Sequence, residues 1–293
     1  MRGRYRHSVP PPTLARVLLD WRLDPALAAL VLLAGGLYVQ GVRRLALRGR
    51  RWPGGRTVAF LAGLVVVAFA TQSGLAAYDT VRFSLHTLQH VLLGMAAPLL
   101  LALGAPVTLA LQASGRAQQR VLLRVVHSRF VATVTHPLVG WALFAGTLFG
   151  LYFSPLFELS LRNDLVHVAV HLHFLLVGVL FFWPAVGLDP SRHPLPHPAR
   201  LLYVLLAIPF HTFLGLAVRS SEARPLGGDV YGAVDGVTRA ALLADQRLGA
   251  GLLWAVGDLL GLVAAAVVAT RWMAAEDRRQ QREDRRLDAD LEA

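Results

Sequence analysis

The chain has 293 residues, of which 55% are hydrophobic and only 16% charged, with a mean hydropathy of +0.51 and a formal net charge of +11. A soluble globular domain carries nearer a quarter charged residues, so the composition excludes that ordinary class and points to the membrane. The absence of cysteine excludes disulfides, thiolate metal sites and thiol redox chemistry, leaving imidazole, carboxylate and thioether groups as possible metal ligands.

The positive charge does not indicate a nucleic-acid partner. All 29 basic residues are arginines, and they lie in connections between apolar runs, where cations set orientation in a bilayer. Residues 1–24 are rich in arginine and proline and read as a poorly ordered basic segment. No small-residue cleavage motif follows a short apolar core, so no removable signal peptide is expected. Residues 25–273 then hold seven apolar runs near or above the roughly 20 residues needed to span a bilayer. They fall at 25–42, 57–77, 84–112, 137–154, 164–187, 200–219 and 246–273.

The third run is too long for one straight span. Pro98 and Gly104-Ala105-Pro106 predict a kink or break in it, because proline removes a helix hydrogen bond. Residues 117–134 alternate apolar and arginine positions as an interfacial amphipathic helix does. Residues 274–293 mix Arg, Asp and Glu and read as a solvated cytoplasmic tail, helix or coil. The fold class is therefore all-α: a polytopic membrane bundle of about seven transmembrane helices.

Arginine counts in alternate connections give eighteen on the side of the C-terminal tail and eleven on the other. The positive-inside rule then predicts an outside N-terminus and a cytoplasmic C-terminus. With that topology, the third and fifth runs both enter from outside, and each carries two histidines four residues apart just after entering: His86 with His90, and His167 with His171. Four residues return a helix to nearly the same face, so each pair presents two stacked imidazoles, about 6 Å apart in depth. Ionisable groups at membrane depth are costly unless they face a partner or cavity, and two pairs at matched depth can build one four-histidine site.

His211, roughly 12 Å below the outer end of the sixth run, and Asp245, at the start of the seventh, fall in the same outer layer. His173 lies on nearly the opposite face from His167 and His171, and reads as packing, as Met95 does. His127, His136, His193 and His197 belong to the inner side and carry no assigned chemistry. Asp258, deep in the seventh run, must be paired or protonated, as structural glue or as a relay.

The stretch Phe83-Ser84-Leu85-His86-Thr87-Leu88-Gln89-His90-Val91-Leu92-Leu93, with Ala97-Pro98-Leu99-Leu100 and Gly104-Ala105-Pro106, resembles the signature of the multi-pass CtaG family. Those proteins are cytochrome c oxidase assembly factors of the bacterial cytoplasmic membrane, distinct from the single-span copper chaperone that shares the name. His136-Pro137, Phe181-Phe182-Trp183-Pro184 and Ala244-Asp245-Gln246 with Gly249, Gly251 and Trp254 extend the likeness over roughly residues 57–273. Family members commonly have a doubled proline where this chain has Ala97-Pro98, a departure that bears on packing.

The resemblance implies a role in forming the copper centre of the oxidase catalytic subunit, which would be a partner together with an extracytoplasmic copper donor and membrane lipid. It carries the metal-ligand role to His86, His90, His167 and His171, with His211 and Asp245 as additions, and favours binding and transfer over catalysis. Imidazole suits copper, zinc and iron alike, so two other readings stay open. One is a seven-span zinc hydrolase using three histidines, a bound water and Asp245 or Asp79 as base. The other is a b-type haem protein with His90 and His171 as axial ligands.

Overall fold

A computed structural model describes residues 12–223, 225–233 and 237–291. Within them the chain forms helices and no strand. Six helices are long and apolar enough to cross a membrane, or seven if one bent pair counts as a span, in agreement with the expected all-α bundle. Within the basic segment expected to be poorly ordered, Leu14–Leu19 forms a short helix, α1; residues 1–11 lie outside the described ones.

The first apolar run becomes α2, Pro25–Leu47, started by Asp24, whose carboxylate accepts from the N–H groups of Ala26 and Leu27. The second becomes α3, Gly54–Gln72, and α4, Gly74–Tyr78, divided at Ser73, which caps the second piece through its hydroxyl. A polar loop holding Asp79 then leads into α5, Phe83–Val91.

The predicted disruption of the third run takes two forms. A π turn, Leu92–Ala96, separates α5 from α6, Ala97–Leu103, in which Pro98 is the second residue. Pro98 has no N–H to give the Gly94 carbonyl four residues back. That carbonyl instead faces the fifth run, where a Cβ on Gly178 would lie 2.2 Å from it. Further on, Ala105 adopts the left-handed conformation (φ +49°), alone in this among the described non-glycine residues, and starts α7, Pro106–Ala113. Asp189, 82 and 81 residues away, completes that start by accepting from the N–H groups of Val107 and Thr108. α7 packs along α2, with Leu109 against Gly41.

The segment expected to lie at the interface is two helices, α8 (Arg116–Val126) and α9 (Arg129–Val134). The fourth run differs from its expected length. α10 covers only Pro137–Tyr152, and α11, Pro155–Arg162, turns away by 73° because Ser154-Pro155 starts a new helix. α12, Asp164–Val186, is capped by Asn163 and stopped by left-handed Gly187. The sixth run breaks into α13, His197–Leu205, and α14, Ile208–Ser220, with Pro209 near the join. After the short α15, Gly228–Tyr231, the last helix α16 runs unbroken from Arg239 to Leu291, so the charged tail continues the seventh span rather than forming a separate coil.

One aromatic-rich core joins α5, α6, α10, α12, α14 and α16, including Phe83, Phe144, Tyr152, Phe174, Phe181 and Phe182. A smaller cluster of Tyr38, Leu45, Phe60 and Leu109 holds α2 and α7 at the edge. α2 is the least embedded span, only 11% of its apolar window being buried, against 56% for the third span. α5 and α12 sit in the centre, and both carry histidines.

Candidate metal centre

Each histidine pair is set by its own helix, and the two helices are set side by side by small residues below them. Gly178 of α12 meets the Gly94 carbonyl and Pro98, an approach that a side chain would prevent. The four imidazoles form an approximate rectangle. Ring centroids are 4.2 Å apart within each pair, His86 to His90 and His167 to His171. Across the helices, His86–His167 and His90–His171 are both 5.5 Å apart, which is the matched depth expected of helices entering together. His86, His90 and His167 are buried, and His171 is partly exposed.

A fifth group completes the cluster. Asp79 is buried in the loop before α5, and its Oδ2 lies 2.9 Å from His167 Nε2. One donor atom each from Asp79, His167 and His171 falls within 4.8 Å of the others. Two ligands of one tetrahedral ion at bond lengths of about 2.0–2.1 Å stand about 3.3 Å apart, so this group can close on an ion with small adjustment. Burial pushes the Asp79 carboxyl up, but its hydrogen bond with His167 and the neighbouring imidazoles outweigh that and hold it below the usual carboxylate range. A buried carboxylate among imidazoles favours a cation.

Hydrogen bonds orient the rings. The Asp79 carbonyl oxygen lies 3.3 Å from His86 Nδ1, so that nitrogen is the donor and Nε2 carries the lone pair. His90 Nδ1 lies 3.1 Å from the Tyr152 hydroxyl. His86 Nε2, His90 Nε2 and Asp79 Oδ1 are buried with no hydrogen-bond partner. A buried polar atom left without a partner costs about 1–3 kcal/mol, and these three belong to residues of the same cluster as the Asp79, His167 and His171 group. The donor set of imidazole nitrogens and one carboxylate oxygen fits copper or zinc.

The remaining candidates lie elsewhere. Asp245 caps α5: its carboxylate accepts from the Ser84 N–H at 3.3 Å and the Ser84 hydroxyl at 2.5 Å. His211 is buried beside Phe144 and Gly257, and borders a small void that His90 also lines. Asp258, next to it along α16, accepts from the Thr212 hydroxyl, and is thus paired between α14 and α16. His173 meets Thr147 on α10, away from the cluster. His136 and His193 meet edge to face with ring centroids 4.6 Å apart, and His136 caps α10. Asp79 carries no regular spacing to any histidine, so its only sequence signal is an acidic residue in the loop seven positions before His86.

A protein-family model described as cytochrome c oxidase caa3 assembly factor (Caa3_CtaG) matches residues 36–275. Among curated proteins, uncharacterized proteins of Mycobacterium bovis and Mycobacterium tuberculosis are each 38% identical over 288 residues, 96% of this chain and 43% of theirs. One of Mycobacterium leprae is 35% identical over 286 residues, again 43% of its length. The chain thus spans under half the length of the curated relatives it matches. No solved structure matches it.

Proposed function

The chain belongs to the Caa3_CtaG family of cytochrome c oxidase caa3 assembly factors, and from that premise we propose that it holds copper as cargo and supports formation of the oxidase copper centre. The observation that carries this reading is the convergence of His86, His90, His167, His171 and Asp79 at one end of the bundle, with a buried atom of His86, of His90 and of Asp79 left without a hydrogen-bond partner. In the orientation given by the arginine asymmetry, that end faces outside, at the bacterial cytoplasmic membrane, towards an extracytoplasmic donor and the catalytic subunit. The role is binding and transfer: the histidines hold the ion, Asp79 supplies charge and orients His167, and release needs only that a receiving site offer better ligands.

A zinc reading has one observation in its favour, the carboxylate in the cluster, since oxygen suits the harder ion. A haem reading has less support, because a porphyrin between His90 and His171 would displace the His86 and His167 rings packed within 5.5 Å of their neighbours. The test is anaerobic Cu(I) titration of purified protein, with zinc as competitor. Stoichiometric copper that is lost in both His86→Ala and His171→Ala, at normal protein levels, supports the proposal, and loss of oxidase activity in cells should follow. Unchanged copper stoichiometry in both variants removes the site; zinc retained against excess copper favours the alternative.

A further inference from the structure

The cluster is covered at its end and open at its side. Phe157 of α11 lies 5.3 Å from the His86 ring, and Phe83 stacks edge-on with both Phe157 and Tyr231. The Tyr231 hydroxyl of α15 donates to the Asp79 carbonyl at 3.3 Å. Val230 and Leu161 fill the same layer and are buried. Gly227, left-handed at φ +63°, lets α15 close down here, since a Cβ on it would meet Leu161, Tyr231 and Phe157 at 2.8–3.1 Å. These residues make a roof over His86, which is fully buried.

The side is different. A cleft of about 700 Å³ lies between α2 and α12, and Asp79, His167 and His171 form part of its wall. Its mouth carries Arg22, Asp24, Arg162, Asn163 and Asp164, and it runs down to Leu30 and Leu175. The embedded pair, His86 and His90, does not border it. A buried ion site needs a route, and a hydrated cation crosses polar openings far more readily than packed aromatics.

We propose that the cleft between α2 and α12 is the port through which the metal reaches and leaves the centre, sideways past Asp79, His167 and His171, and that the roof of α11 and α15 stays shut. This rests on the copper-cargo reading and adds the direction of exchange. It also makes α2, the least embedded span, the wall nearest the exchanging partner.

The absence of native cysteine permits a direct test. Leu30→Cys and Leu175→Cys place single thiols in the cleft, and Leu156→Cys places one on the exposed outer side of the roof helix α11. Each full-length variant is capped with either a small or a bulky maleimide, and Cu(I) exchange with a coloured chelator is followed in time. Obstruction of a route slows loading and release alike, so copper stoichiometry at equilibrium stays at the wild-type level. The expected result is several-fold slower exchange with the bulky label in the cleft and no change with it on the roof. Slowing at Leu156→Cys alone, or at none of the three, overturns the port. A chain that takes up no copper before labelling fails the function proposed above, a result visible in stoichiometry rather than rate, and removes the port with it.

Discussion

The substitution Gly178→Ala tests whether the closeness of α5–α6 to α12 creates the centre. An added Cβ would lie 2.2 Å from the Gly94 carbonyl oxygen and 2.5 Å from Pro98, whereas ordinary contact begins at 3.4 Å. The obstacle is backbone and a proline ring, with no flexible side chain to swing aside. The helices must therefore part by about 1.2 Å, at a cost of about 1–3 kcal/mol. Gly178 lies seven residues after His171 and eleven after His167, about 10 and 16 Å along the axis. The parting reaches the 5.5 Å spacings between the pairs, and ligand constellations tolerate only about 0.5 Å. Copper affinity should fall by about tenfold or more, which is about 1.4 kcal/mol, in a chain that keeps its helicity. The assay is chelator competition on purified protein, with circular dichroism and thermal unfolding alongside. Gly146→Ala, where nothing lies within 4 Å, serves as the neutral control. A folded Gly178→Ala protein with wild-type affinity would refute the reasoning.

Three further outcomes are expected. Asp79→Asn keeps the shape but removes the charge, and should lower metal affinity by about 10–100-fold, read by the same competition titration with helicity unchanged. Asp245→Ala removes the cap from α5 and should cost about 1 kcal/mol of stability, seen as a lower unfolding midpoint while copper stoichiometry holds, because this carboxylate engages Ser84 rather than the histidines. Asp189→Ala frees the first amides of α7, so hydrogen exchange at Val107 and Thr108 should quicken well before the rest of the chain responds.

The four histidines were legible because two rules act together: spacing of four fixes a face, and matched entry fixes a depth. Both are local properties that a linear sequence carries. Asp79 was legible only as a possible base beside three histidines, not as a member of the ligand set, since a loop carboxylate has no period and its place depends on how the loop folds back to His167. Asp245 shares the outer layer as expected, yet its oxygens turn to Ser84. His211 shows the limit of counting rise alone. The chain restarts at Ile208 after the break within the sixth span, and a restart resets the direction in which later side chains point. The shortness of α10 was masked by apolar residues continuing past Ser154-Pro155, where hydrophobicity persists but the axis bends.

The π turn at Leu92–Ala96 has a geometric consequence for the pair directly before it. A π turn wraps one more residue than an α turn, and each residue of a helix sweeps about 100° of arc. His86 and His90 above the turn, and Pro98 with its contact to Gly178 below it, are thus held at bearings that a uniform helix could not supply together. One surplus residue in the third span serves as the angular offset by which an anchor at mid-depth and a pair of ligands near the end both face the same neighbour.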